Sequence, residues 1–551
     1  MFKSAPLHLR SCGGPLAALA CLAVAAGAAF GQEPTERTLT AQDLEMLKWR
    51  SIGPANMSGR VAAIALAPGN PGTYYVGYAT GGIFKTVNNG TTFSPVFDDQ
   101  ETASIGSIVV ADAPADWPGW ADIESKRDTD EKTEDPDKPK AMIVWVGTGE
   151  SNGRNSSSWG NGVYRSTDGG GSFEHLGLAE SHDIPALAVD PRDPDVCYVA
   201  AQGHLWGANE ERGVYKTIDG GTTWRGVLTI DADTGACDVV LDPLDPDTVY
   251  AAMYMRRRSP WSFQSGGPQG GIFRSTDGGD TWTKLTEGLP GQTGRIGLAI
   301  FPGDPRVLYA VVESDEGGWV GSPFTNRMRA GGVFRTDDRG ETWVRTSDFN
   351  PRAFYFSRIR VDPADADRVY LLGWGLYVSD DGGKTFRAGS AKVAHVDFHA
   401  MVIDPDDTDH LLVGTDGGLY VSYDRGSTWD FHDHMAVGQF YNIAVDMSDP
   451  YRVGGGLQDN GTWIGPSQTI TNVTEPHMGR EGGITNHDWQ FIWGGDGFHV
   501  AFDPTDPDIV YAESQGGWIG RVHLDSGIHR TLALGVNDVG VGRVEGHVEP
   551  V

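Results

Sequence analysis

Short hydrophobic runs separated by polar turns fill the chain between about residues 47 and 530. Many of them come in pairs joined by a turn built on Asp-Pro, as in LAVDPRDPDVCYVA (187–200) and VVLDPLDPDTVYAA (239–252). Runs of this length, rich in Val, Ile and Tyr and bounded by turn residues, are typical of β-strands. We found no segment with the length and 3.6-residue apolar period of a major helix. The pattern therefore predicts an all-β protein of short antiparallel strands.

A second motif follows these strand pairs: the turn S/T-x-D-x-G-x-T/S-W/F, here called the Asp-box. KTIDGGTTW (216–224) and RSTDGGDTW (274–282) are two of its seven copies. Its acidic position is occupied by Asn88, Asp168, Asp219, Asp277, Asp338, Asp381 and Asp424. Together, strand pair and box define a repeated unit of four strands, which is typical of a β-propeller blade.

The repetition of the Asp-box indicates what it does. An Asp side chain can accept hydrogen bonds from the backbone of its own turn, and the glycine permits a positive φ. The final aromatic residue is expected to pack between blades. Because a catalytic acid is needed once or twice and the box recurs seven times, we assign it a structural role.

The number of blades in the ring stays open at this stage. Nine strand pairs are recognisable, and the first seven units carry a box. The nine strand pairs begin near Arg60, Ser104, Asp183, Cys237, Arg295, Ser357, Asp397, Tyr441 and Gly497. Either one large ring of eight to ten blades closes, or seven blades close and two begin a second ring. Residues 47–54 resemble a fourth strand and are a candidate to seal the ring against the last blade.

Both ends of the chain differ from the repeated region. Residues 1–31 combine Lys3 and Arg10 with an apolar run and small residues at a cleavage position, which predicts a secretory signal peptide. We divide the rest into a linker at 32–46, the propeller at 47–530 with a charged insertion at 111–140, and a tail at 531–551. No later run approaches the ~20 apolar residues of a membrane span. We therefore expect an exported protein, periplasmic or extracellular, without a membrane span.

Composition narrows the choice of partners. The chain has 74 Asp plus Glu against 43 Lys plus Arg, a net charge of −31. This charge repels phosphate backbones, so nucleic acid is not an expected partner. Cys197 and Cys237, the two cysteines outside the signal peptide, either pair in an oxidising compartment or remain buried thiols. Nothing in the sequence calls for a cofactor.

The boxes resemble the Asp-box (BNR) repeat shared by sialidases, xyloglucanases of glycoside hydrolase family 74 and sortilin-type Vps10 domains. The sequence from WRSIGPANMSGRV to GGGLQDNGTW is similar to the sequences of bacterial exported "glycosyl hydrolase" proteins of the sortilin/Vps10-like and family 74-like group. The resemblance, over about residues 48–520, implies a propeller. It also implies a catalytic acid in a TD-x-GG pattern of the first blade, where this chain has Ala79. Asp416 has the right local wording, GTDGG, but belongs to the seventh blade.

The loops between the second and third strands of several blades are long, and each carries one tryptophan. On one face of the ring, exposed aromatic side chains would bind sugar rings or a peptide. Alternatively, each tryptophan packs its own loop. The candidate ligand-binding residues are Trp159, Trp206, Trp261, Trp319 and Trp374, together with Arg60 at the mouth of the channel.

Four acids are expected to converge at the channel mouth once the units are aligned on their Asp-Pro turns. They are Asp397, Asp416, Asp459 and Asp496. Paired carboxyl groups can perform glycoside hydrolysis or hold a hard cation, and they can also simply cap loop amides. In HVDFHAM (395–401), strand alternation would place His395, Asp397 and His399 on one side as possible transition-metal ligands, or as hydrogen-bonding groups between blades.

Two functions follow from these patterns. The first is an exported β-propeller that binds polysaccharide or protein through the loop face. The alternative is a glycoside hydrolase that acts on a polysaccharide through the channel-mouth carboxyl groups.

Overall fold

The computed structural model describes residues 40, 50–54, 56–114, 117, 142–154, 157–316, 319–320, 328–329, 331–469 and 483–532, with the backbone alone at 319–320 and 328–329. The chain divides into Met1–Ser51 and a compact unit Ile52–Val551, which holds every strand named below. The predicted signal peptide, and most of the linker, charged insertion and tail, lie outside the described residues. Among described residues, no helix is long and apolar enough to cross a membrane.

The strands form successive four-stranded antiparallel sheets, as the sequence predicts. Blades 1 and 2 contain β1 (Val61–Ala67), β2 (Asn70–Tyr78), β3 (Ile83–Thr86) and β4 (Ser94–Pro95), then β5 (Ile105–Asp112), β6 (Met142–Thr148), β7 (Val163–Ser166) and β8 (Glu174–His175). Blade 3 contains β9 (Ala186–Asp190), β10 (Asp193–Ala201), β11 (Gly213–Thr217) and β12 (Arg225–Leu228). Blade 4 contains β13 (Thr234–Leu241), β14 (Val249–Ser259), β16 (Gly271–Ser275) and β17 (Thr283–Leu285), with β15 (Ser262–Ser265) paired to β14.

The later sheets follow the same order. Blade 5 contains β18 (Thr293–Ile300), β19 (Leu308–Ser314), β22 (Gly332–Thr336) and β23 (Val344–Ser347), with a ribbon of β20 (Trp319–Val320) and β21 (Met328–Arg329). Blades 6 and 7 contain β24 (Arg358–Asp362), β25 (Asp365–Leu372), β26 (Leu376–Ser379) and β27 (Arg387–Ala388), then β28 (Phe398–Ile403), β29 (Leu411–Thr415), β30 (Gly418–Ser422) and β31 (Asp430–Phe431). Sheets 8 and 9 contain β32 (Phe440–Val445), β33 (Arg452–Leu457), β34 (Gly461–Pro466) and β35 (Gln490–Trp493), then β36 (Gly497–Phe502), β37 (Ile509–Ser514), β38 (Trp518–His523) and β39 (Ile528–Thr531).

The ring closes after seven blades. The first strands of blades 1 to 7 together line a central cavity of 330 Å³. Val61 and Val76 of blade 1 pack in one buried cluster with Ala400 and Leu412 of blade 7, so the first and last blades are neighbours. This settles the choice left open by the sequence, because apolar contact between β1 and β28 leaves no place for an eighth blade.

Sheets 8 and 9 pack on each other outside this ring, through a cluster that includes Ile464 and Val500. Of the expected strand at 47–54, residues 47–49 lie outside the described residues, and Ile52–Pro54 lie in no strand. Instead, the Ile52 carbonyl accepts a hydrogen bond from Trp489 Nε1 at 2.6 Å, next to sheet 8. The ring needs no such strand because blades 1 and 7 meet through their own apolar faces.

The Asp-box of blade 2 shows how the repeated turn is built. Asp168 Oδ1 accepts hydrogen bonds from Ser166 Oγ at 2.7 Å and from the Ser172 amide at 2.9 Å. Gly170 adopts φ 90° and donates its amide to Ser166 Oγ at 2.7 Å. Tyr75 of blade 1 donates to the Gly169 carbonyl at 2.6 Å, which ties the turn to the preceding blade. The same carboxylate or amide contacts recur at Asn88, Asp219, Asp277, Asp338, Asp381 and Asp424.

The two cysteines of the described region are free, buried thiols in blades 3 and 4. Cys197 lies in β10 and Cys237 in β13, where each packs in an apolar cluster. Of the two possibilities that the sequence left open, buried thiols are correct.

Candidate functional site

The loop between β6 and β7, here called the blade 2 loop, crosses the mouth of the central channel. Arginines from three other blades donate hydrogen bonds to this loop. Arg295 donates to the Ser151 carbonyl at 3.1 Å, and Arg358 donates to Ser151 Oγ at 3.3 Å. Arg258 donates to the Gly153 carbonyl at 2.9 Å. These hydrogen bonds fix the loop at the channel mouth. Side chains of this loop are buried there.

Arg60, the residue before β1, is the centre of the polar cluster at this mouth. Its buried guanidinium donates to both carboxylate oxygens of Asp416, at 2.6 and 2.8 Å. It also donates to Glu150 Oε1 at 2.8 Å and to Asp459 Oδ2 at 3.1 Å. One cation thus faces three carboxyl groups, which come from blade 7, blade 2 and sheet 8. Because three carboxyl groups share one positive charge, one of these carboxyl groups is favoured to keep its proton.

His399 of β28 extends the cluster. Its Nε2 lies 2.7 Å from Asp416 Oδ1, and its Nδ1 lies 2.8 Å from the amide nitrogen of Asn152. An amide nitrogen can only donate a hydrogen bond, so Nδ1 of His399 is the acceptor. Nε2 therefore carries the hydrogen and donates its hydrogen bond to Asp416. Asn460 Nδ2 donates to the Asp416 carbonyl at 2.9 Å. Asp416 is therefore fixed from three directions and is a buried counter-ion of Arg60.

The protonation states of the two acids on Arg60 are driven apart. Burial alone would raise the pKa of Asp416, but Arg60 and His399 hold it well below its usual range. Burial and the negative charge of Asp416 raise the pKa of Asp459 to about 9, against the opposing effect of Arg60. These opposite shifts favour an ionised Asp416 and a protonated Asp459 at neutral pH. The Asp459 side chain is 30% exposed, so its proton is within reach of a ligand.

The other two predicted acids lie at the same mouth. The Asp459 amide donates to Asp496 Oδ1 at 2.7 Å, and the Asp416 amide donates to the Asp397 carbonyl at 3.1 Å. Burial and the charge of Asp416 raise the pKa of Asp397. Asp397, Asp459 and Asp496 are partly exposed, whereas Asp416 is buried. The structure thus brings the four acids together and gives them unequal access to solvent.

An aromatic pair borders these acids on sheets 8 and 9. Tyr441 and Phe498 stack with ring centroids 4.9 Å apart. Burial raises the pKa of Tyr441 to about 12, and the nearby Asp496 carboxylate adds to the shift. Tyr441 is partly exposed, so the acids and an accessible aromatic face lie side by side. This combination suits recognition of a sugar ring.

The predicted tryptophans fall into two groups. Trp159, Trp206 and Trp261 are exposed on the loops of blades 2, 3 and 4, and Trp261 is 86% exposed. Trp374 is half-buried, and its carbonyl accepts a hydrogen bond from the Asp397 amide at 3.2 Å, so it lies beside the acids. The side chain of Trp319, in β20, lies outside the described residues.

The predicted metal set His395, Asp397 and His399 is not assembled. Strand β28 begins only at Phe398, and Asp397 has φ 66°, so the expected alternation of side chains is broken. His395 Nε2 contacts the Asp459 carbonyl at 3.0 Å. Both ring nitrogens of His399 are engaged by Asp416 and Asn152, as described above. The histidines connect blade 7 to its neighbours, as in the alternative interpretation.

Sequence reasoning missed the contribution of the blade 2 loop. Glu150 and Asn152 enter the cluster directly, and Arg154 donates to Gln458 Oε1 next to Asp459. Arg60, Arg295 and Arg358 all reach this loop from other blades. The available signal was arginine recurring at the start of first strands, opposite a polar GESN turn.

Comparisons with known proteins agree with the fold. A family model described as "Sortilin, neurotensin receptor 3" (Sortilin-Vps10) matches residues 331–450. A solved family 74 xyloglucanase of Xanthomonas campestris matches with a TM-score of 0.53 and 17% identity, covering 88% of this chain and 75% of its own. A family 74 enzyme of Niastella koreensis has a TM-score of 0.54 and 16% identity, over 88% and 67%. These likenesses establish a β-propeller related in architecture to the Vps10 and family 74 group.

Curated relatives carry the name xyloglucanase. One from Paenibacillus sp is 25% identical over 57% of this chain and 32% of its own length. One from Acetivibrio thermocellus is 24% identical over 64% and 36%, respectively. One from Hypocrea jecorina is 30% identical over 32% and 22%. The chain spans about a third of the length of the first two relatives.

Proposed function

We propose that this protein is a glycoside hydrolase that cleaves a polysaccharide at the channel mouth, with Asp459 as the proton donor. The observation that carries the proposal is the position of the Asp459 carboxyl, which is partly exposed and lies 3.1 Å from Arg60, the guanidinium that also holds the buried Asp416. Burial and the charge of Asp416 raise its pKa, which favours a proton donor at this position. A glycosidase needs one protonated and one ionised carboxyl group on either side of the glycosidic bond. The names of the curated relatives point to the same class of substrate.

The roles of the remaining acids follow from their exposure. Asp416 is buried and bound by Arg60 and His399, so it positions Asp459 and keeps it protonated. Asp496 is partly exposed and adjacent to Asp459, which makes it the candidate base, with Asp397 as the second choice. The first-blade position that resembles the family pattern cannot serve, because the methyl side chain of Ala79 has no proton to donate or accept.

The overall charge restricts the substrate further. With a net charge of −31, the protein repels acidic polysaccharides at long range. We therefore propose a neutral glucan of the xyloglucan type, handled outside the cytoplasm in keeping with the predicted signal peptide.

A second candidate function is recognition without cleavage, through the exposed tryptophans. The specific observation is that Trp159, Trp206 and Trp261 stand exposed on the loops of three consecutive blades. Exposed aromatic rings on one face can stack on sugars, or on the side chains of a peptide or protein ligand.

The test is release of reducing ends from xyloglucan and other neutral polysaccharides by the full chain. We expect turnover that falls at least a hundredfold in Asp459→Asn and in Asp496→Asn. Asp525→Asn, an exposed acid between β38 and β39, is the matched control and should retain full activity.

Absence of turnover on every substrate would overturn the hydrolase proposal. Binding that survives Asp459→Asn but is lost in Trp261→Ala would then favour recognition. Trp518→Ala, which removes an exposed tryptophan from sheet 9, is the control for that binding assay.

A further inference from the structure

We propose that Glu180, His182 and His204 form a binding site for a divalent transition metal ion of the Zn²⁺ type, at the edge of blades 2 and 3. The ligating atoms of the three side chains all lie within 4.8 Å of one another. His204 Nε2 is 3.1 Å from Glu180 Oε2. The site shares no residue with the acid cluster at the channel mouth, so it is independent of the proposed hydrolase activity.

Two loops present these side chains. Glu180 belongs to a 3₁₀ turn, Ala179–Ser181, in the connection from β8 to β9, and His182 follows directly with φ 56°. His204 lies in the loop between β10 and β11. Asn209 fixes the two loops together, because its Oδ1 accepts from the His204 amide at 2.9 Å and its Nδ2 donates to the Glu180 carbonyl at 2.7 Å. The backbone of the site is therefore held without the metal.

The donor set matches the chemistry of Zn²⁺. Two imidazoles and one carboxylate are ligands that Zn²⁺ takes in sites with an open position. The imidazoles stack with ring centroids 3.5 Å apart.

Binding requires only a small movement. Ligand atoms around a tetrahedral Zn²⁺ are about 3.3 Å apart for bonds of 2.0–2.1 Å. His204 Nε2 and Glu180 Oε2 are already close enough at 3.1 Å, and no pair of ligating atoms is more than 4.8 Å apart. The largest closing movement of any pair is therefore about 1.5 Å. Glu180 is free to make this movement, since its side chain is 69% exposed and extends from a surface turn.

The fourth coordination position would be open on the loop face. Trp159 stacks on His182 with ring centroids 5.7 Å apart, and the exposed Trp206 is two residues from His204. A metal ion here would lie beside these two tryptophans, where a water or a ligand oxygen could complete its coordination.

The experiment is calorimetric titration of the tag-free full chain with ZnCl₂ after treatment with EDTA. We expect about one ion per chain, and an affinity at least about tenfold weaker in His204→Ala and in Glu180→Gln. His175→Ala removes another exposed histidine of blade 2, which bonds the Asn161 carbonyl, and should leave binding unchanged. Bound Co²⁺ should give visible absorption bands in the wild type that are lost in His204→Ala.

Two results would overturn the proposal: no binding of Zn²⁺ by the wild type, or equal affinity in the wild type and in the His204→Ala variant. Circular dichroism of the metal-free proteins shows whether each variant is folded. Because Glu180→Gln changes one exposed side chain, it keeps the test decisive even if His204→Ala fails to fold.

Discussion

Asp459→Asn should make the protein more stable at neutral and alkaline pH while it abolishes turnover. The pKa of Asp459 is raised to about 9 in the folded protein, from an ordinary value of 3.8. Folding therefore takes up a proton at this residue whenever the pH lies between these two values. The wild type is most stable, as far as this group is concerned, below pH 3.8, and loses that stability as the pH rises toward 9. An Asn side chain carries no titratable group and so avoids this cost.

The size of the effect follows from the slope of one proton, about 1.4 kcal/mol per pH unit, or about 4 kcal/mol between pH 5 and pH 8. Since the side chain is 30% exposed, solvent screening reduces this, and we expect about 1–2 kcal/mol. The assay is denaturant unfolding of the wild type, Asp459→Asn and the control Asp525→Asn at several pH values from 5 to 8. Parallel pH profiles for the wild type and Asp459→Asn would show that Asp459 is ionised, and the assignment of the proton donor would be wrong.

Four further variants test the structural roles of other residues. Arg60→Met should cost about 3–5 kcal/mol of unfolding free energy, because it removes the guanidinium from the buried Asp416 and Glu150 carboxyl groups, and a double variant Arg60→Met/Asp416→Leu should recover part of the loss in a double-mutant cycle. Asp381→Asn should lower the melting temperature at pH 7 but have little effect near pH 2, because the box hydrogen bonds lower the pKa of Asp381 to about 2 and its stabilisation is lost as the pH falls through that value. Gly149→Ala should destabilise by about 3 kcal/mol or more, because Gly149 has φ 95° and an added Cβ would overlap the His182 carbonyl oxygen; a melting temperature equal to that of the wild type would contradict the placement of the blade 2 loop.

The local architecture could be predicted from the sequence because its causes are local. The predicted start of blade 1 at Arg60 and of blade 6 at Ser357 each differ by one residue from the observed strands, which begin at Val61 and Arg358. Each Asp-box satisfies its own backbone through the residues within it, as at Asp168 and Ser172. Hydrophobic alternation and turn chemistry act over a few residues, so the order of letters is enough to specify them.

Ring closure and the chemistry of the acids were decided only by the tertiary structure. The contact of Val61 with Ala400 joins residues far apart in the chain, and nothing local to either predicts that seven blades suffice. Asp416 and Asp459 look alike in sequence, yet the pKa of Asp416 is lowered and that of Asp459 is raised. Both carboxyl groups face Arg60, but only Asp416 also contacts His399. Packing and electrostatics depend on which groups are in contact in the folded protein. The sequence of a repeat does not show which distant residues will be in contact.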